Sequence, residues 1–366
     1  MIWDRTCFML SSSPLISVIV PLYNQQRYIG KCLRSILGQT YRNLEVIVVN
    51  DGSTDNSQEI VLRYANRDKR IRVITQANSG VATARKNGYL KATGEWIVFV
   101  DSDDYLPVDS IESLLTVAWS KDVDIVCGDS YRKWGPYERY MHAFPRSMGM
   151  QTITMPELFD SYYVSFFGIN LFPVTVWGKF YRKSVIDHAM ESVDLFVTPP
   201  LHRSEDEAFT MLLFPFLSSV YCLEKAIYIY RFGGVTTGNK WFTDLIDFGD
   251  FRLGLLDRYK YENGYSPLFI EYVNILITHV QQNLEFKKWS MDDAKQWLTV
   301  ELGSRYLMQR MHDYYVGKTV IPDKCRMAMN NDVHGIVGFA ESRLNQQRLR
   351  SFLKRLYLWF SRLIVR

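Results

Sequence analysis

Short apolar runs alternate with amphipathic stretches over the first hundred residues. The runs Ile16 to Leu22, Leu44 to Val49, Ile71 to Thr75 and Trp96 to Val100 are rich in β-branched residues and predict strands. Their apolar character is continuous rather than alternating, which indicates burial on both faces, as in a parallel sheet. Helical patterns lie between them, so the sequence predicts the βαβα order of a doubly wound, mostly parallel α/β fold.

The helical signals fall into two groups. Apolar residues recur at helical spacing from Tyr28 to Leu37 and Gly38 follows as a stop signal, while Ser53 and Thr54 are candidate N-caps of the next helix. Beyond about Asn239 the pattern becomes helical throughout, with candidate helices over Phe251 to Tyr259, Leu268 to Leu284 and Ala294 to Met308. We therefore predict an N-terminal extension (1–13), an α/β domain (14–238), a smaller helical region (239–340) and a C-terminal helix (341–366).

Polar residues cluster where the predicted strands end. In a doubly wound fold, ligands bind outside the carboxyl ends of the strands, so these positions are the ones to search for chemistry. The clusters are Pro21, Tyr23 and Asn24 after the first strand, Asn50 to Asp55 after the second, and Asp101 to Asp104 after the fourth.

The DSDD run at Asp101 to Asp104 is the central candidate for a metal site. Hard carboxylate oxygens two residues apart can hold Mg²⁺ or Mn²⁺ against a diphosphate. An ordinary acidic turn between a strand and a loop is the alternative, and the spacing alone does not decide between the two.

Two further motifs have a structural and a functional interpretation. NDGSTD at Asn50 to Asp55 is typical of an Asp-Gly turn followed by a helix N-cap, although a carboxylate there can also accept the N3 hydrogen of uracil. The stretch from Gly80 to Gly88 predicts a helix carrying a solvated Arg85. The alternative role of Arg85 is a cation or donor near a nucleotide.

Three downstream motifs also have both a structural and a functional interpretation. SEDE, starting at Ser204, fits a capping box that explains Ser204 and Glu207 and leaves Glu205 and Asp206 as candidate bases at a helix N-terminus. Trp177 is either a sugar-stacking platform with Lys179 beside it or a core residue. The pair Gly233 and Gly234, after Arg231, is either the hinge of a lid over a diphosphate or a plain turn.

Charge and cysteine content narrow the function classes. The chain carries 43 basic and 39 acidic residues, but residues 341–366 alone hold seven basic and one acidic residue, so the basicity belongs to the tail and does not indicate a nucleic-acid-binding surface. Five cysteines without a CxxC pair argue against a disulfide framework and a zinc ribbon and favour a reducing cytoplasm. The six histidines form no ligand-spaced cluster, which argues against a zinc hydrolase.

The last residues form the pattern of a basic amphipathic helix. Apolar residues from Leu349 to Ile364 fall on one side of a helical wheel and basic residues from Arg348 to Arg362 on the other, with Tyr357 and Trp359 at the flank. Such a helix suits the anionic inner face of a cytoplasmic membrane, and packing on the preceding domain is the alternative. No apolar run reaches the roughly 18 residues of a membrane span.

Taken together and in order, the motifs resemble the family 2 glycosyltransferases, whose catalytic domain has the GT-A fold. The resemblance runs from about Pro14 to Thr237. It rests on ISVIVPLYN, VVNDGSTDNS, ANSGVATARKNG, FVDSDDYL, WGKFYRKSVI and SEDEAF. One departure is Gly178, where such enzymes often carry a polar residue such as Asn.

The resemblance implies roles for individual residues. Asp103 coordinates a divalent metal, Asp101 faces the metal shell or the ribose, and Asp206 is the general base with Glu205 as its neighbour or substitute. Trp177 and Lys179 lie on the acceptor side. Apart from the resemblance, Arg231, Gly233 and Gly234 stay candidates for a lid, with a plain turn as the alternative. The nucleotide site comprises Pro21, Tyr23, Asn24, Asp51, Gly52, Ser53, Asn78, Arg85, Asp101 and Ser102.

The same resemblance implies an inverting reaction. A sugar passes from a nucleotide diphosphate sugar, by family habit a UDP-sugar, to a saccharide or lipid-linked saccharide, as in bacterial surface polysaccharide synthesis. A non-catalytic sugar-nucleotide-binding protein of the same fold is the alternative. An NAD-binding oxidoreductase shares the sheet type, but PLYNQQ stands where its GxGxxG turn belongs.

Overall fold

The computed structural model describes residues 13–144, 150–155, 157–167, 172–196, 205–231, 241–286, 288–316, 318 and 320–347. The chain divides into two compact units. The first contains residues 1–166 and 170–239, and the second contains residues 167–169 and 240–366.

The first unit is built on a mixed, mostly parallel sheet. Its strands lie in the order β3-β2-β1-β4-β8-β5-β9-β7, with β6 paired to β5. Among the described strands, β1 to β5 and β9 run in one direction, which confirms the predicted fold class. The strands are β1 (Ile16–Leu22), β2 (Leu44–Asp51), β3 (Ile71–Gln76), β4 (Trp96–Phe99), β5 (Ile125–Trp134), β6 (Tyr137–Met141), β7 (Thr152–Thr154), β8 (Lys179–Arg182) and β9 (Ser219–Arg231).

The central strands are buried along their whole length. Every residue of β1, β2 and β4 is buried, as the continuous apolar runs predict for strands covered on both faces. The helices of this unit are α1 (Ile29–Leu37), α2 (Ser57–Ala65), α3 (Val81–Tyr89), α4 (Ser110–Lys121), α5 (Lys183–Met190) and α6 (Glu205–Leu213).

The second unit is helical in its described part. Its central helix is α8, whose buried face includes Leu268, Tyr272 and Leu276 and packs against α7, α9, α10 and α11. None of the helices that the structure describes is long and apolar enough to cross a bilayer. The helices are α7 (Trp241–Tyr259), α8 (Tyr265–Glu285), α9 (Met291–Ser304), α10 (Tyr306–Tyr315), α11 (Asp323–Met329) and residues 333–347.

Two helix predictions are wrong in detail. Helix α2 begins at Ser57, so Ser53 and Thr54 do not cap it. Instead, the Ser53 hydroxyl accepts a hydrogen bond from the backbone of Asn24 at 3.1 Å, and the Thr54 backbone donates to the Asn24 side chain at 2.8 Å. The predicted helix over Ala294 to Met308 is two helices, because Arg305 is extended (φ −85°, ψ 131°) and ends α9.

Candidate active site

The candidate site lies where the sheet order reverses direction. Strand β1 pairs in parallel with β2 on one side and with β4 on the other, and the chain leaves β4 directly into Asp101. Such a switch point is where open α/β sheets form their ligand crevice. Helix α1 lies close to this point, since the Cys32 thiol approaches the Asp101 carbonyl oxygen at 3.7 Å.

Arg85 joins three carboxylates at this edge. It extends from α3 and is only 4% exposed. Its guanidinium lies 2.9 Å from Asp101, 2.6 Å from Asp206 and 3.7 Å from Glu205. Burial alone would lower the pKa of Arg85, but the carboxylates of Asp206, Asp101 and Glu205 outweigh it and raise that pKa above its ordinary value.

Of the two interpretations of Arg85, the solvated side chain is therefore wrong, and a role near a nucleotide stays a prediction. The helix around Arg85 is correct, but its polar side chain turns inward because the carboxylates that neutralise it come from sequence positions 16 to 121 residues away. A single cation thus holds the strand end that carries DSDD and the first turn of α6 together.

Asp206 has a second anchor. One carboxylate oxygen accepts from Arg85 and the other accepts from the backbone N–H of Val176 at 3.2 Å. The Asp206 side chain keeps 20% of its surface exposed. Beside it, burial and then the Asp206 charge raise the pKa of Glu205 to about 7. The predicted capping residue Ser204 lies outside the described residues.

The four residues of DSDD have different surroundings. Asp104 is 1% exposed, and its carboxylate accepts from the Tyr228 hydroxyl at 2.8 Å and from the Arg231 backbone at 2.7 Å. Asp104 therefore ties the loop after β4 to β9. By contrast, the Asp103 carboxylate accepts no side-chain hydrogen bond from another described residue, while burial and then the charge of Asp101 raise its pKa to about 6. Ser102 is buried.

A divalent cation suits this pair of carboxylates. Asp101 and Asp103 repel each other in a partly buried place, and a cation would relieve that repulsion. No group of three or more His, Cys, Asp or Glu side chains in the described parts of the chain could hold a metal. The pair Asp101 and Asp103 is compatible with an ion such as Mg²⁺ or Mn²⁺, because such an ion often binds through one or two carboxylates and takes its other ligands from phosphate oxygens and water.

The predicted base-binding residue Asp51 is buried at the end of β2. Its carboxylate accepts from the Gln76 side chain at 2.8 Å and from the backbones of Ser79 at 2.8 Å and Gly80 at 2.9 Å. These bonds fix the loop after β3. The oxygen bonded to Gly80 accepts one hydrogen bond there and retains capacity for a second donor.

Further predicted nucleotide-site residues lie at the end of β1 and on the loops after β2 and β3. Tyr23 is 46% exposed at the end of β1, where Pro21 is buried and Asn24 adopts a left-handed φ of 52°. Gly52 has a φ of 70°, and a Cβ there would lie 2.8 Å from the Asn78 backbone nitrogen. The two loops thus approach each other so closely that only glycine fits at Gly52.

Of the two acceptor-side predictions, Trp177 is partly buried against the hydrophobic core and Lys179 is fully buried. Trp177 stacks on Tyr228 and Tyr230, with ring centroids 4.5 and 5.5 Å apart and planes inclined by 15°. Lys179 is 1% exposed, donates to the Thr175 carbonyl, and has a pKa lowered to about 8 by burial. Its ammonium group therefore lies inside the unit.

The backbone conformation at Gly178 bears on the departure from the family pattern, in which this position often carries Asn. Its φ is 72°, a left-handed conformation that glycine adopts freely and that asparagine tolerates better than other residues. Its carbonyl accepts from the Gly128 backbone at 3.0 Å. The backbone conformation is therefore compatible with either residue.

Strand β9 supplies Tyr228, which the sequence patterns did not indicate, and Arg231, which was predicted only as part of a possible lid. The Tyr228 hydroxyl accepts from the Asp101 backbone at 3.1 Å and donates to Asp104. Arg231 donates through Nε to the Asp103 carbonyl at 2.9 Å, and its guanidinium lies 4.3 Å from the Tyr28 ring centroid. The run of aromatic residues in β9 is the sequence feature that could have indicated Tyr228. Gly233 and Gly234 lie outside the described residues.

Residues 17–189 match the family described as "Glycosyl transferase family 2". This part of the chain belongs to that family. The chain is 35% identical over 218 residues to the uncharacterized glycosyltransferase EpsJ of Bacillus subtilis, covering 60% of this chain and 61% of EpsJ. It is 32% identical over 253 residues to the glycosyltransferase GlyA of Streptococcus pneumoniae, covering 67% of this chain and 35% of GlyA.

A solved structure has a similar fold. The crystal structure of S. aureus TarS residues 1–349 in complex with UDP matches with a TM-score of 0.61 and 22% identity, covering 91% of each chain. At this identity the likeness concerns the fold alone. The match to EpsJ and GlyA spans about three-fifths and one-third of their lengths, so the activity of this family 2 chain is a matter for proposal.

Proposed function

We propose that the chain is a metal-dependent glycosyltransferase that uses a nucleotide diphosphate sugar. The observation that carries this proposal is the position of Arg85, which brings Asp101 of the DSDD run and Asp206 of α6 to one cation at 2.9 and 2.6 Å. A diphosphate site and a base must be neighbours when a hydroxyl displaces a nucleoside diphosphate from a sugar. Membership of glycosyl transferase family 2 supports the same conclusion.

In this proposal each residue has a defined task. Asp51 accepts from the base, and Asp101 and Asp103 would hold Mg²⁺ or Mn²⁺, whose charge stabilises the departing diphosphate. The Asp206 carboxylate takes the proton of the acceptor hydroxyl as its oxygen attacks the anomeric carbon. Arg85 and the Val176 N–H orient Asp206 during this step. Attack from the face opposite the leaving group inverts the anomeric configuration.

The donor and acceptor classes are part of the proposal. UDP is the nucleotide that the family resemblance favours, and the acceptor is a glycan or a lipid-linked saccharide of a bacterial surface polysaccharide. Residues 349–366, outside the described residues, have the sequence of a basic amphipathic helix and would place the enzyme on the anionic inner face of the cytoplasmic membrane. Deleting them should abolish partitioning onto anionic liposomes, and unchanged partitioning would refute the membrane role.

The test of catalysis is a comparison of Asp206→Asn with the wild type. Release of nucleoside diphosphate from a panel of nucleotide sugars is measured with and without added saccharides, while donor binding is followed separately. Turnover in Asp206→Asn should fall by about 10²–10⁴-fold with donor binding retained, the range expected for a lost general base. Asp122→Asn is the matched control, because Asp122 is 81% exposed and pairs with Arg182 near the start of β5.

Unchanged turnover in Asp206→Asn would remove Asp206 as the base. Donor binding by the wild type without any turnover would instead favour the non-catalytic sugar-nucleotide-binding alternative.

A further inference from the structure

The β5–β6 hairpin carries two adjacent arginines that form no ion pair within the described residues. Arg132 of β5 and Arg139 of β6 are directly paired in the antiparallel ladder, and both are exposed. Like charges opposite each other on one face of a sheet are destabilising. Their juxtaposition therefore calls for an explanation that the hairpin itself does not supply.

The hairpin separates its charges between its two faces. Side chains alternate along each strand, so the pairs Arg132 with Arg139 and Trp134 with Tyr137 share one face. Trp134 and Tyr137 stand at the tip and are 68% and 76% exposed. On the opposite face, Lys133 and Glu138 form an ion pair at 2.6 Å. The basic residue on that face is thus neutralised, whereas the two arginines are not.

The arginine-bearing face continues toward the candidate active site. Strand β5 pairs in parallel with β9, which places Arg132 beside Tyr230 and Ser130 beside Tyr228. The Arg132 guanidinium lies 6.0 Å from the Tyr230 ring centroid, and Trp177 stacks on both tyrosines. Because the Tyr228 hydroxyl donates to Asp104, this row of side chains runs from the hairpin to the DSDD loop.

The chemistry of this face fits a charged sugar polymer. Aromatic rings offer flat apolar surfaces against which sugar rings stack, and guanidinium groups bind carboxylates and phosphates through paired hydrogen bonds. We propose that Arg132, Trp134, Tyr137 and Arg139, the hairpin face, bind an acceptor saccharide that bears carboxylate or phosphate groups. This inference rests on the proposed glycosyltransferase function and specifies the class of its acceptor.

An anionic lipid surface would satisfy the same arginines but not the rest of the arrangement. A membrane contact requires only the hairpin tip. The row Arg132, Tyr230 and Trp177 instead leads inward to Asp104, as expected when one molecule must reach both the hairpin and the reacting centre. The glycan is therefore the occupant that the geometry favours.

Binding of defined oligosaccharides to the full chain tests the proposal without any donor present. The probes are an oligogalacturonate, its methyl ester, which removes the charge and keeps the sugars, and a glycerol-phosphate oligomer. Vesicles with and without phosphatidylglycerol form the lipid arm. The variants are Arg132→Gln with Arg139→Gln, Trp134→Ala, and the matched control Lys133→Gln, which removes a neighbouring charge from the opposite face of the same hairpin.

We expect at least one anionic oligomer to bind about tenfold more tightly than the methyl ester, with the preference weakening as salt rises. The double arginine variant should lose this preference, Trp134→Ala should weaken both the charged and the neutral sugar, and Lys133→Gln should behave as the wild type. The two anionic oligomers distinguish carboxylate from phosphate recognition.

Three results of the variant and probe comparison would overturn the proposal, and a fourth result separates it from the proposed function. The three are equal binding of the neutral ester, equal loss in Lys133→Gln, and arginine-dependent binding of phosphatidylglycerol vesicles without binding of either oligomer. A wild-type protein that binds a nucleotide sugar but no anionic oligomer refutes this inference alone. Failure to bind any nucleotide sugar refutes the proposed function.

Discussion

The carboxyl edge of the sheet and the helical second unit use charge in opposite ways. At the sheet edge, the nearly buried Arg85 meets three carboxylates, and the charge of Asp101 raises the pKa of Asp103. In the second unit, the buried face of α8 is mainly apolar, and a pair such as Arg252 with Glu271 joins one buried cation to one carboxylate that is 28% exposed. The first arrangement collects several like charges around one cation, while the pair of Arg252 and Glu271 joins α7 to α8.

The largest expected effect is the loss of Arg85. Arg85→Met leaves Asp101, Asp206 and Glu205 without their shared cation, and removing one partner of a buried pair typically costs about 3–5 kcal/mol. Arg252→Met is the matched variant in the second unit and should lower the free energy of unfolding by about 2 kcal/mol, since it removes the charged hydrogen bond from Arg252 to Glu271 at 2.6 Å. Urea unfolding followed by tryptophan fluorescence and circular dichroism measures both. Equal losses of unfolding free energy in the two variants would show that the three carboxylates around Arg85 make its loss no more destabilising than the loss of Arg252.

Lys179 gives the next largest effect and a dependence on pH. Because burial lowers its folded pKa to about 8 from 10.5, the unfolded chain binds more protons between pH 8 and 10.5, and stability rises with pH across that window. Lys179→Met should therefore stabilise the protein at pH 7 by up to about 3 kcal/mol, and the gain should shrink as pH approaches 10.5.

Lys324→Met provides the comparison in the second unit. Lys324 donates to the Asn274 side chain at 2.7 Å and is less buried, so its replacement should show a much weaker pH dependence. A gain for Lys179→Met that is the same at pH 7 and pH 10.5 would mean that the Lys179 charge carries no penalty.

The smallest expected effect concerns Gly178. Its φ is left-handed, and a Cβ added at Gly178 would lie 3.7 Å from the Gly128 carbonyl oxygen, which leaves room for asparagine. Gly178→Asn should therefore cost less than about 1 kcal/mol, while Gly178→Val, whose branched side chain disfavours this φ, should cost about 1–2 kcal/mol more. Thermal unfolding of the two variants and the wild type measures both losses of stability. A large loss in Gly178→Asn would show that the neighbourhood, rather than the backbone, requires glycine.

The strands and the family were predictable because their signals are local. A continuous apolar run such as Ile16 to Leu22 can be satisfied only by a strand covered on both faces, and β1 spans those residues. The polar residues after β1, β2 and β4 were expected at one edge of the sheet because the carboxyl ends of parallel strands meet there. The structure pairs these strands in parallel and so brings the backbones of those residues to that edge.

The errors and omissions have a common cause in long-range contacts. The sequence leaves open whether Arg85 is solvated or lies near a nucleotide, because its three carboxylates lie elsewhere in the chain. It predicts Ser53 as a cap, although the Ser53 hydroxyl accepts from the backbone of Asn24 on another loop. Tyr228 carries no motif and Arg231 was predicted only as part of a possible lid. The pairing of β9 with the loop after β4 gives both residues a place beside the DSDD run. The two halves of the predicted helix over Ala294 to Met308 separate at Arg305, which pairs with Asp250 and Glu301.

The most direct test of the account is a thermal-shift panel of nucleotide sugars with and without Mn²⁺, run on the wild type and on Asp103→Ala. A ligand that binds the folded state raises the melting temperature by mass action. We predict that one donor stabilises the wild type only with metal and that Asp103→Ala keeps its fold but loses this gain. If no nucleotide sugar stabilises the wild type, or if Asp103→Ala retains the full metal-dependent gain, the proposed donor and metal site at the end of β4 is contradicted.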